Sequence, residues 1–160
     1  MLISKPNRKK HGYTQHLNAP PDKVFPLLCP VLEAEWAPGW MPESVYTESG
    51  VCEQECIFIT PPGIPSEVEN AIWIVSNHDL KNWIVEMYKV VPHHSISKLV
   101  ISLSGEHNNR TAAHISYEIT AIGMAGNEFL EEFTKDWYEK FMSDWENAMN
   151  HYLDTGKMIA

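Results

Sequence analysis

Hydrophobic and polar residues change their spacing along this chain. Between residues 97 and 104, Leu99, Ile101 and Leu103 alternate with Lys98, Ser102 and Ser104. Between residues 111 and 121, Ala113, Ile115, Tyr117 and Ile119 share one parity, and His114, Ser116, Glu118 and Thr120 share the other. A period of two, with one apolar and one polar parity, predicts strands of a sheet covered on one face. From residue 125 to 155 the period becomes four. Phe129, Phe133, Trp137, Phe141, Trp145 and Met149 recur, and acidic residues such as Glu131, Asp136 and Asp144 fill much of the rest. This predicts one amphipathic helix that starts between residues 123 and 129, runs past 150 and lays its aromatic stripe on the sheet. Gly156 supplies the stop.

Six segments rich in β-branched and aromatic residues read as strands: 44–48, 52–60, 70–77, 82–91, 96–105 and 110–122. Short breaks containing Gly, Pro, Asn or Asp separate them, which favours antiparallel hairpins. Residues 11–18 read as an earlier strand. Pro20-Pro21-Asp22 then opens a short helix, Pro30 ends it, and 31–36 form a second helical piece. The fold class is therefore α+β of the helix-grip kind. A curved antiparallel seven-stranded sheet wraps a long C-terminal helix, with two short helices after the first strand. The domain spans 11–155, with tails at 1–10 and 156–160.

Composition bounds the function. The 160 residues fit one domain, and six Trp, six Tyr and five Phe give it a substantial core. The net charge of -9 argues against nucleic acid, which needs clustered Lys and Arg. The one basic run, Lys5, Arg8, Lys9 and Lys10, reads as a solvated tail. No apolar stretch is long enough to insert in a membrane, and no signal-peptide pattern opens the chain. Cys29, Cys52 and Cys56 fit no zinc spacing and read as reduced thiols of a cytoplasmic protein. No P-loop, dinucleotide motif, nucleophile elbow or metal-binding His pattern occurs, so no cofactor or metal is expected.

The order of elements resembles the START-like, or SRPBCC, superfamily over about residues 11–155. That group includes plant pathogenesis-related allergens, lipid-transfer domains, aromatase/cyclase domains and the C-terminal domain of chaperone ATPase activators. Cys29-Pro30-Val31-Leu32-Glu33-Ala34-Glu35-Trp36-Ala37-Pro38-Gly39-Trp40 is similar to the C-P-V-x-E-x-E-W-x-x-G-W segment of a bacterial and archaeal subgroup. The resemblance implies a cavity between the sheet and the first half of the long helix, open near the loops.

Candidate site residues follow. Trp36 and Trp40, with Glu33 and Glu35, either rim the cavity mouth or form a structural corner around Gly39. Phe129, Phe133 and Trp137 lie where the resemblance places the cavity, whereas Phe141, Trp145 and Met149 read as core. Trp73, Tyr88 and Tyr117 are strand aromatics that can reach the cavity. Glu86 shares a parity with Tyr88. If that parity points inward, Glu86 is a buried carboxylate; if Trp83, Val85 and Met87 point inward, both are solvated. The histidines read as ordinary surface residues and the cysteines as inert core thiols.

Three functions compete: a carrier or sensor of a small hydrophobic or lipid-like molecule, a polyketide cyclase-like or hydrolase-like enzyme, and a chaperone-activator-like interaction domain. A monomer or weak homodimer suits each. An apolar cavity without convergent ionisable groups favours the first, convergent ionisable groups raise the second, and a cavity filled by side chains favours the third.

Overall fold

Seven strands form one antiparallel sheet in the computed structural model, which describes residues 1–160. They are β1 (Arg8–Leu17), β2 (Ser44–Tyr46), β3 (Ile57–Thr60), β4 (Ala71–Asp79), β5 (Ile84–Val91), β6 (Ser95–Glu106) and β7 (Arg110–Ala121). Their order across the sheet is β1-β7-β6-β5-β4-β3-β2, so every neighbour except the β1–β7 pair is consecutive in sequence. Two short helices, α1 (Pro21–Val24) and α2 (Pro30–Glu33), follow β1, with a 3-10 turn at Phe25–Leu28 between them. Two helices end the domain, α3 (Met124–Glu132) and α4 (Lys135–Thr155). No helix is long and apolar enough to cross a membrane.

The alternation that predicts the strands also sets their faces. Leu99, Ile101 and Leu103 of β6 are buried beside Ala113, Ile115 and Ile119 of β7. On β5 it is Val85 and Met87 that are buried, and the same parity carries Lys89 inward. Glu86 and Tyr88 therefore lie on the outer face. There Glu86 pairs with Lys98 at 3.2 Å, and Lys98 Nζ sits 5.7 Å from the Tyr88 ring centre.

The predicted single C-terminal helix is two. Phe133 leaves helical geometry with ψ 67°, and Thr134 caps α4 by accepting from the Trp137 N–H at 3.2 Å. β1 satisfies the carbonyls freed at the end of α3: Lys9 Nζ donates to Leu130 O, and His11 Nε2 donates to Phe133 O at 2.9 Å. The strand thus begins at Arg8, and Lys9 binds a helix C-terminus, where a cation is favoured. The expected boundary between tail and domain at residue 10 falls inside β1.

The break resets the helical phase. Tyr138, Met142 and Met149 face the core of α4, and Tyr138 donates its hydroxyl to Ile115 O at 3.0 Å. Phe141, expected in the core, is 45% exposed, because it stands three residues after Tyr138 at the stripe's edge. Trp145 is half-buried, packed against Trp36 with ring centres 4.9 Å apart. β1 is further tied to α4 by Gln15 Nε2 donating to Met142 O at 2.9 Å and by Tyr13 donating to Glu146 at 3.1 Å.

The predicted strand 52–60 is reduced to Ile57–Thr60. Glu53 folds the segment before it into a turn, accepting from the Glu48 and Ser49 N–H groups and the Thr47 hydroxyl. These bonds hold its carboxyl down at about 2. Cys29, Cys52 and Cys56 are free and buried, with Cys29 Sγ accepting from Cys52 N at 3.0 Å. Burial pushes the Cys52 and Cys56 thiols up, away from reactive thiolate.

Candidate functional site

A cavity of about 480 Å³ lies between the inner face of the sheet and the helices. Leu99 and Ile101 of β6, with Ile115, Tyr117 and Ile119 of β7, form its floor. Phe129, Phe133 and Trp137 close it from the helix side, beside Trp145. Trp40, Phe58 and Trp73 wall the end nearest β3 and β4, and the loop Pro61–Ile64 stands at its edge. Phe58 and Trp73 stack at 5.3 Å, and Trp40 meets both edge-on. The volume falls in the range of small-molecule sites, and the lining is apolar with few polar groups.

Those polar groups fall into two sets. The first is Glu33, at the end of α2, with Tyr117 of β7. Trp145 donates its indole N–H to Glu33 Oε1 at 3.2 Å. The half-buried carboxyl faces the cavity, and loss of solvent around it pushes it up to about 8 against the opposing effect of the indole bond. Tyr117 makes no hydrogen bond to protein. Burial raises its phenol far above the usual range, and the nearby Glu33 charge raises it further.

The second set ties the loop between β3 and β4 to the sheet. Buried Glu67 accepts from Gly63 N at 2.9 Å and pairs through Oε1 with Lys89 Nζ at 2.5 Å. Lys89 also sits 5.6 Å from the Trp73 ring centre. One position before Glu67, Ser66 hydrogen-bonds His94 Nε2 at 3.1 Å, and Ser95 bonds the other ring nitrogen at 2.8 Å. Burial lowers the His94 pKa, favouring the neutral ring. His94 is thus buried, while His93 stands exposed at φ 58° in the turn between β5 and β6.

The structure divides the residues singled out by sequence. Trp40, Trp73, Tyr117, Phe129, Phe133 and Trp137 meet at the cavity wall, as does Glu33. Trp36 does not: it is wholly buried in the corner, donating to Leu27 O at 2.9 Å, because the turn at Gly39 (φ 76°) separates it from Trp40. Glu35, two residues beyond Glu33, points to the surface and accepts from the Tyr152 hydroxyl at 2.7 Å. Tyr88 and Glu86 lie outside the cavity, on the sheet's outer face. Sequence reasoning missed Glu67 and Lys89. Lys89 was readable, since an inward Val85–Met87 parity includes it; Glu67 lies in a Pro-rich loop without periodicity.

The chain matches no protein-family sequence model and no curated protein sequence. It is similar in structure to norcoclaurine synthase from Thalictrum flavum, solved with dopamine and hydroxybenzaldehyde. The TM-score is 0.66 at 10% identity, covering 96% of this chain and 94% of that one. Ara h 8.0201 gives 0.59 at 9% identity over 91% and 97% of the two chains. DynU16, from the dynemicin biosynthetic locus, gives 0.58 at 14% identity over 92% of this chain and 48% of that one. These are helix-grip folds, and this chain has that fold; at such identities the likeness speaks for the fold alone.

Proposed function

We propose that the protein binds a small, largely apolar molecule with a ring system in the cavity between the sheet and the helices. One observation carries this reading: a space of about 480 Å³, walled by one chain, that the fold leaves unfilled among aromatic side chains. Packed interiors rarely leave such space, because each lost contact costs stability. Flat walls from Trp40, Trp73, Phe133 and Trp137 suit rings better than a flexible acyl chain. The similar norcoclaurine synthase was solved with two aromatic molecules, dopamine and hydroxybenzaldehyde, which is consistent with rings in a cavity of this fold. A cavity filled by side chains would favour an interaction domain of the chaperone-activator kind, and this one is unfilled.

Glu33 supports a second reading, an enzyme that uses this carboxyl as general acid or base. A carboxyl at about 8 sits near working pH, where proton transfer is most effective. Native mass spectrometry of freshly expressed protein and of Glu33→Gln tests both readings. The same co-purified mass in both supports a carrier or sensor. Different masses, with the variant holding a precursor of what the parent holds, support the enzyme. No retained molecule, together with no uptake of an apolar fluorescent probe, counts against both.

A further inference from the structure

We infer that the cavity selects a ligand with one basic nitrogen on an apolar, ring-bearing body, its ammonium seated on Glu33 beside the Tyr117 hydroxyl. The inference rests on the cavity reading above and adds the chemical class of the ligand. It starts from the balance of charge around the space. The titratable side chains that line it are Glu33 from α2, Glu67 from the β3–β4 loop, Lys89 from β5, Tyr117 from β7 and Tyr138 from α4. Glu67 and Lys89 neutralise each other. Tyr138 donates its hydroxyl to Ile115 O. Glu35, on the same segment as Glu33, is turned to Tyr152.

What remains without an ionic partner is one carboxyl and one phenol. The Glu33 carboxyl has one oxygen on the Trp145 indole and the other free. Tyr117 lies near enough for the Glu33 charge to act on it. A ligand carboxylate would meet an acid and a phenol, with the one lysine already paired. A ligand ammonium meets a potential counter-charge, a hydroxyl oxygen that accepts, and the face-rich aromatic wall of Trp40, Trp137 and Trp145, which attracts cations. Burial that keeps Glu33 protonated when the cavity is empty is reversed by an ammonium beside it, since an opposite charge favours the ionised form.

This gives a proton signature. Below about pH 8 the free carboxyl carries a proton, and an incoming ammonium must expel it. Amine affinity then rises by about tenfold per pH unit toward that point and levels off above it. A neutral ligand shows no such rise.

Calorimetric titrations with naphthylethylamine, naphthylethanol and naphthylacetate test this on the parent protein and on Glu33→Gln, whose amide oxygen still accepts from Trp145. We expect the amine to bind tightest and the acetate weakest. From about pH 6.5 to about pH 8 the amine should tighten on the order of tenfold while the alcohol stays constant. At the lower pH the amine should release about one proton, read from two buffers of unlike ionisation enthalpy. In Glu33→Gln the amine should lose roughly 30-fold or more and fall to the level of the alcohol, whose retained binding reports an intact cavity. If the variant does not fold, the pH profile and proton release of the parent decide. Amine and alcohol binding alike, or an amine preference that survives in Glu33→Gln, overturns the amine assignment and leaves the cavity reading standing. No binding by any of the three overturns both.

Discussion

Two residues show how close contacts set what the chain tolerates. The fold raises the Glu33 carboxyl from an ordinary value of 4.5 to about 8. The native state therefore holds a proton that the unfolded chain releases, so stability falls as pH rises through that window. The slope reaches up to about 1.4 kcal/mol per pH unit where the two states differ by a full proton. Glu33→Gln removes the effect: urea denaturation should show the parent losing stability relative to the variant from pH 5 to pH 8. Gly126 is limited by space instead. A Cβ there would stand 2.0 Å from His94 O, a backbone atom of the β5–β6 turn. Gly126→Ala must push α3 off that turn, at a cost of about 1 to 3 kcal/mol. At Gly12 on β1 the nearest atom to a Cβ is 3.8 Å away, so Gly12→Ala should change the thermal midpoint little and serve as the control.

At the scale of elements, periodicity made the sheet readable, because a strand with one covered face writes burial directly into its parity. β6 and β7 match the predicted segments to within a residue or two at each end. The helix break was not readable, since the Phe129–Phe133–Trp137 spacing runs through it unchanged. What ends α3 lies more than a hundred residues away, in Lys9 and His11 of β1. Trp36 and Trp40 were also alike in sequence, and only the turn at Gly39 separates a corner plug from a cavity wall. The break has a local part that can be removed: Thr134→Ala deletes the cap on Trp137 N and should destabilise by about 1 kcal/mol. If the β1 contacts hold the break in place, amide exchange in that variant should quicken at residues 135–138 while α3 stays protected. Equal quickening across both helices would show that Thr134, rather than β1, holds the junction.

For the whole molecule, the cavity sets stability against function. The sheet curves around α3 and α4, β1 fastens α4 at one side, and the space is left between α2 and the β3–β4 loop. Filling such a space ordinarily stabilises a protein, and under the binding reading it also removes the room a ligand needs. Ser97 gives a direct test. It is 4% exposed, points inward from β6 between the lining residues Ser95 and Leu99, and has no hydrogen-bond partner in the protein. Ser97→Leu replaces that hydroxyl with methyl groups facing the cavity, next to Lys89, its cross-strand partner on β5, and leaves the Glu33 carboxyl and the Tyr117 hydroxyl themselves unchanged. Chemical denaturation should show a gain of about 0.5 to 2 kcal/mol. Titration with an apolar fluorescent probe should show affinity falling by about tenfold or more, because the leucine occupies the volume the probe needs. The two effects must move in opposite directions. A stabilised variant that binds the probe as well as the parent would place the probe somewhere other than this cavity. A destabilised one would mean that the wall around Ser97 is already closely packed, leaving less usable space there than the geometry indicates.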